Sequence, residues 1–300
     1  MQDVFWCSFF YNRNECVIFP GQKGTDLFTQ KERNRLMKKV NYHTHTALCL
    51  HADGMESDYA REALSARLDV LGFSDHAPFP DNRFDLRMQY EQLDPYLQRV
   101  AGLRSRLAGR LDILAGLEIE YCPDMLPYYR TLCEKRNLDY LILGQHYFTD
   151  SSGALVNTFR CPPGADSSLV LEYARSVQEG LETGLFPVLA HPDVIFVNDL
   201  GWDENCEKAT DIILRCARET KTVLELNANG VRRGKKQFSD GVRYPYPHPL
   251  FWKRVAKSGL PVLINSDCHN PSFLWDDAML ECYWLARQWN LCLTDHFRRS

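Results

Sequence analysis

His43 and His45, in the segment HTHTALCLH, are two residues apart, so strand alternation turns both imidazoles to one side, where they can share a metal. His51 follows in the next loop. Similar endings recur down the chain: Asp75 and His76 in SDH, Glu118 and Glu120 in GLEIEY, His146 in GQHY, His191 and Asp193 in AHPD, Asp267 and His269 in SDCH. A lone histidine at a strand end is more often a hydrogen-bonded structural residue than a ligand. Recurrence is what separates this set from chance. Of the nine histidines only His248 and His296 fall outside it. Imidazoles and carboxylates together suit zinc, manganese or iron, with hydrolysis as the chemistry such ions promote.

Those residues need elements that gather them. From Lys39 onward the sequence repeats a short apolar run, a polar turn and a longer segment of helical spacing. Strands are predicted at 40–46, 70–76, 113–120, 140–147, 187–194, 223–227 and 261–267, and helices at 56–68, 90–107, 169–183, 205–220 and 249–258. This alternation predicts an α/β fold with a parallel sheet, and closure into a TIM-like barrel removes both sheet edges. The alternative is an open doubly wound sheet, but its phosphate-cradling GxGxxG and GxxxxGK motifs are absent. Residues 1–36 do not follow the pattern and are expected to form an extension, with the catalytic barrel at 37–300.

Composition narrows the function. A net charge of -4 gives no electrostatic reason to expect nucleic acid, and no run approaches the roughly 20 apolar residues that cross a bilayer. Eleven cysteines, odd in number, scattered and without a CxxC pair, fit a reduced cytoplasmic protein better than a disulfide scaffold.

The ordered series HxH, a third His six residues on, SDH, GxE, a strand-end His, HPD and SDxH resembles the polymerase and histidinol phosphatase (PHP) family from Val40 to about Leu293. The resemblance implies a distorted seven-stranded (β/α)7 barrel with two or three divalent metal ions at the C-terminal ends of the strands. It implies that His43, His45, Glu118 and Asp267 hold one metal, that Glu118 bridges to a second held by His146 and His191, and that His51, His76 and His269 hold the third. Three ions with about four positions each need roughly twelve donors, and these side chains supply about ten, leaving room for water and substrate oxygens. The implied reaction is phosphoester hydrolysis by a metal-activated hydroxide.

SDHAPFP, GLEIEY and NANGVRR followed by YPYP resemble the histidinol-phosphatase branch, which implies a phosphomonoesterase acting on L-histidinol phosphate in histidine biosynthesis. Two other readings stand beside it: a PHP-type enzyme for another small phosphate, nucleotide or cyclic phosphodiester, and a non-enzymatic metal-binding or regulatory protein. The expected partner is a small phosphorylated metabolite, with neither nucleic acid nor membrane. Arg232 and Arg233 are the candidate phosphate clamp, with Arg232 preferred. The resemblance implies a second basic residue after the fifth-strand His, where this chain has Phe196, so Arg160 is the candidate substitute. Glu120 is a candidate partner for a substrate ammonium or a hydrogen-bond partner of a ligand. Asp75 and Asp193 adjoin ligand histidines and are expected to orient them or to protonate the leaving alcohol.

Overall fold

The computed structural model describes residues 37–136 and 138–298. The extension expected at 1–36 lies outside the described residues. Eight parallel strands form one curled sheet in the order β1 (Val40–Asn41), β2 (Val70–Phe73), β3 (Asp112–Ile119), β4 (Tyr140–Leu143), β7 (Val188–Leu189), β8 (Val223–Asn227), β11 (Pro261–Asn265) and β12 (Cys292–Leu293). Two antiparallel hairpins project from it: β5 (Tyr147–Thr149) with β6 (Leu155–Asn157), and β9 (Lys236–Phe238) with β10 (Gly241–Arg243).

The seven expected strands are present, and their closure is shared at a seam. The free edge of β11 is divided: β12 pairs with Pro261 and Val262, while further along Thr44 bridges Cys268 and the His45 amide donates to the Cys268 carbonyl at 3.0 Å. Side chains complete this junction, with Asn41 Nδ2 donating to Ser266 Oγ at 2.6 Å and the Tyr42 amide donating to Asn265 Oδ1 at 2.8 Å.

The helices on the outside are α1 (Glu56–Ser65), α2 (Leu93–Arg106), α3 (Leu126–Lys135), α4 (Ser168–Glu182), α5 (Glu204–Thr220), α6 (Ala228–Arg232), α7 (Pro249–Ser258) and α8 (Asp277–Trp289). The segments α3, α6 and α8 were not anticipated as helices. Alternation along β3 shows how the barrel is filled. Ile113, Ala115, Leu117 and Ile119 face the helices, whereas Leu114 joins Val40, Val70, Tyr140, Ile142, Val188 and Leu263 in a smaller interior cluster. The Tyr140 ring crosses that interior, and a Cβ on Gly116 would lie 2.4 Å from it, so glycine is required there. Above this apolar plug the inward positions become Glu118, His43 and Glu225, and the metal centre begins.

Candidate metal centre

The ligand-type residues lie just past the strand ends, where the backbone leaves the ladder. His191 and Asp267 have φ of 27° and 46°, a sparsely populated conformation that turns both side chains inward from strand ends. Glu118 stands at the middle. Its Oε2 lies 3.3 Å from His43 Nε2, 3.4 Å from His45 Nε2 and 3.0 Å from His76 Nδ1. Its Oε1 lies 2.9 Å from His191 Nε2 and 3.4 Å from His146 Nε2. Gly144 makes this possible, because a Cβ there would come within 2.1 Å of Oε1. Asp267 Oδ1 closes one side at 3.1 Å from His45 Nε2 and 3.6 Å from His43 Nε2. On the other side the His51 and His269 rings lie 4.6 Å apart, and those of His45 and His269 4.3 Å.

Electrostatics favour a cation. Burial opposes ionisation of Glu118 and Asp267, yet His146 and His43 lead the groups that hold Glu118 well below the usual carboxylate range, and His43 and His45 do the same for Asp267. Burial brings His269 down to about 4 and lowers His45, His51 and His76, so these imidazoles present neutral lone pairs. His43 and His146 are raised, since neighbouring carboxylates outweigh their burial.

A fit test comes from the orphaned atoms. His43 Nε2, both nitrogens of His45, His76 Nδ1, His191 Nδ1 and Glu118 Oε2 are buried without a hydrogen-bond partner. His43 Nε2, His45 Nε2 and His76 Nδ1 lie close enough to Glu118 Oε2 for charge attraction but lack hydrogen-bond geometry. His146 Nδ1 lies 3.0 Å from Glu120 Oε1, which places its proton there and points its Nε2 lone pair at His191 Nε2, 3.3 Å away. Converging lone pairs of this kind are costly without a positive charge between them, so the donor set fits divalent metals.

Several expected roles change. Glu120 is buried, takes two hydrogen bonds from Arg87 at 2.9 and 3.1 Å and orients His146, so it is no partner for a substrate ammonium. Asp75 accepts from the amide and hydroxyl of Thr46 at 2.7 and 3.0 Å, and burial raises it to about 7. Asp193 accepts from the His248 amide at 2.5 Å and Trp252 Nε1 at 3.0 Å, and burial raises it to about 6. Both aspartates are buried and hold backbone beside the ligand histidines rather than hydrogen-bonding an imidazole. Arg160 is exposed on the turn after β6, with its amide bonded to the Asn157 carbonyl.

The arginine pair is reversed. Arg232 makes a two-point ion pair with Asp276, at 2.6 and 3.1 Å, and donates to the carbonyls of Ser266 and Phe273. Arg233 is exposed, and its guanidinium lies over Phe159 and Tyr246 at 5.3 and 5.8 Å. Those rings neighbour His146 and His191 at 5.8 and 6.2 Å. Successive residues around α6 differ by about 100°, which separates the two side chains.

Sequence reasoning missed Glu225, Arg87 and Tyr246. Glu225 Oε1 lies 2.8 Å from His43 Nδ1, and its Oε2 accepts from the His191 amide at 3.0 Å. A carboxylate inside the apolar run VLELN was the available signal.

His248 belongs to the frame. Its Nδ1 accepts from the Leu250 amide at 3.2 Å, while Nε2 donates to Asp240 at 2.7 Å, a pairing suited to the neutral ring. Burial, then Arg243, lowers its pKa to about 4. Between that value and the unfolded 6.5 the unfolded state binds more protons, so this contribution is complete above 6.5 and is lost as pH falls towards 4. Urea unfolding of wild type and His248→Asn at pH 7.5 and 5.0 checks it: the wild-type advantage shrinks by about 2 kcal/mol at the lower pH. A gap independent of pH contradicts this account.

Residues 41–229 match the family described as PHP domain. A Deinococcus radiodurans protein named probable histidinol-phosphatase is 29% identical over 248 residues, covering 80% of this chain and 90% of that one. A Bacillus subtilis histidinol-phosphatase is 24% identical over 258 residues, covering 78% and 94%. Among solved structures, the histidinol phosphate phosphatase of Lactococcus lactis, complexed with zinc, L-histidinol and phosphate, superposes with a TM-score of 0.66 at 15% identity, covering 86% of this chain and 95% of that one. A Listeria monocytogenes putative histidinol phosphatase gives 0.66 at 18% identity, covering 79% and 97%. At these identities the structural likeness shows the fold. Among the described residues no helix is long and apolar enough to cross a membrane.

Proposed function

The chain belongs to the PHP domain family, and from that premise we propose that it is a metal-dependent phosphomonoesterase hydrolysing L-histidinol phosphate to L-histidinol and phosphate. The observation that carries the chemistry is the convergence of three unpartnered buried nitrogens, from His43, His45 and His76, on Glu118 Oε2, with His146 and His191 facing Oε1. The substrate reading rests on the relatives named above.

His43, His45, Glu118 and Asp267 form one metal position, Glu118 with His146 and His191 a second, and His51, His76 and His269 a third, with zinc, manganese or iron as the candidate ions. Divalent ions held there supply Lewis acidity, which makes water nucleophilic near neutral pH and offsets phosphoryl charge. The protein's own groups do the rest. Glu225 fixes His43 and the His191 backbone, while the Arg87–Glu120 pair fixes the His146 tautomer. Arg233 offers an exposed fork at the rim for a phosphate oxygen pair. The apolar plug around Tyr140 closes the barrel beneath the centre.

Phosphate release from histidinol phosphate, beside generic phosphomonoesters and phosphodiesters, tests the substrate. The expected preference for histidinol phosphate is about 100-fold or more in kcat/KM. Equal rates, or preference for a diester, would overturn it. Protein purified without chelator is expected to hold more than one equivalent of transition metal, and chelation should abolish hydrolysis until metal is restored. Trace metal with undiminished turnover in chelator contradicts the catalytic assignment.

A further inference from the structure

Cys49 lies in the 3-10 turn Ala47–Cys49, between the ligands His45 and His51, and is fully buried. It differs from Cys206, Cys216, Cys268 and Cys282, which are part of the hydrophobic core, because Cys49 belongs to neither apolar cluster. A buried cysteine is ordinarily a small apolar filler, and that explanation fits the other four better. The neighbours of Cys49 are metal donors. Its Sγ and nitrogens of His51 and His269 lie within 4.8 Å of one another, and so do its Sγ, a nitrogen of His45 and an oxygen of Asp75.

The histidines around it are set as ligands. His51 Nδ1 is bonded to the Cys49 carbonyl at 2.7 Å, and His269 Nδ1 to the Asp267 carbonyl at 3.2 Å. A carbonyl partner requires the proton on Nδ1, which leaves each Nε2 lone pair for a metal. His45 is fully buried with both nitrogens unpartnered.

We propose that Cys49 is a thiolate ligand of the third metal position, beside His51 and His269. The proposal rests on the metal-centre reading above and adds a donor to it. The sulfur and the two imidazoles would then supply three donors to one ion. On binding, the sulfur–metal bond replaces the S–H bond and the proton passes to solvent. A thiolate makes this position selective for zinc over manganese. The third ion then anchors the HTHTALCLH loop.

X-ray absorption at the zinc edge of the zinc-loaded full-length protein tests the bond without any substitution. A sulfur shell at about 2.3 Å is expected beside nitrogen and oxygen at about 2.0 Å. Cys49→Ala should remove that shell, lower zinc content by about one equivalent, and abolish the sulfur-to-cobalt charge-transfer band of cobalt-substituted protein. Cys49→Ser gives the same readouts should the alanine variant fold poorly. Wild-type protein with zinc but no sulfur shell overturns the proposal and leaves the metal-centre reading standing, as does a sulfur shell that persists in both variants. Wild-type protein that binds no metal overturns both.

Discussion

Glu118→Gln is expected to lower kcat/KM for histidinol phosphate by about 10⁴-fold, about 5.5 kcal/mol of transition-state stabilisation, and to empty the metal centre. The substitution keeps the shape of the side chain and removes its charge. Both oxygens of Glu118 face imidazole nitrogens, three around Oε2 and two around Oε1. An amide has one oxygen, so one cluster loses its anionic donor. Its NH2 group also donates to the very lone pairs that a metal needs. The ionised charge that His146 and His43 favour is also lost from the metal-free state, so metal-free Glu118→Gln should still fold but unfold at a somewhat lower temperature than metal-free wild type. Low metal content with an intact fold is therefore the signature of a bridging carboxylate. Glu120→Gln is the contrast: it touches His146 only through Nδ1, and loss of such an orienting partner costs about 10-fold to 100-fold. Glu118→Gln with full metal content and activity within about tenfold of wild type contradicts the central role.

The difference between these two glutamates shows where sequence reasoning stops. Spacing places Glu118 and Glu120 on one strand face, and both do point inward. It does not say that Arg87, on the loop after β2, pairs with Glu120, 33 positions further along the chain, and neutralises it. Such pairings depend on how loops fold over the barrel mouth, and loops carry no periodic signal. The strands were legible because inward and outward positions alternate through an apolar core, as along 113–119. Their ends were less so. Residues 42–46 and 266–267 read as strand, yet the ladders stop at Asn41 and Asn265, with Thr44 and Cys268 joined by an isolated bridge, and Asp267 takes a positive φ. Local strain there, stabilised by the seam between β1 and β11, aims the side chain. Glu225 was overlooked because a single carboxylate in an apolar strand carries no spacing, although its burial is complete.

The arginine pair after β8 gives a second separation of roles. Arg233→Ala should leave metal content intact and lower kcat/KM for histidinol phosphate by about 30-fold to 1000-fold, the equivalent of about 2 to 4 kcal/mol. The guanidinium is exposed at the rim, over Phe159 and Tyr246, two rings that themselves adjoin His146 and His191. A phosphate seated on the centre comes within reach of it, and a fork with two parallel donors matches two phosphoryl oxygens. Arg233→Lys should recover only part of the loss, because an ammonium cannot reproduce the planar fork. Arg232→Ala should behave differently. Its partner Asp276 caps α8 by accepting from the Met279 amide, and the pair ties α6 to the carbonyls of Ser266 and Phe273. Removing the arginine leaves a partly buried carboxylate unpaired, at a cost of about 3 kcal/mol, discounted from the loss expected for a fully buried pair. In a domain of this size that lowers Tm by roughly 6 to 12 °C. Kinetics, metal content and thermal unfolding of the three variants resolve the two roles. A large kcat/KM loss in Arg232→Ala at unchanged Tm, with wild-type kinetics in Arg233→Ala, would return the phosphate contact to Arg232 and contradict the side-chain directions around α6.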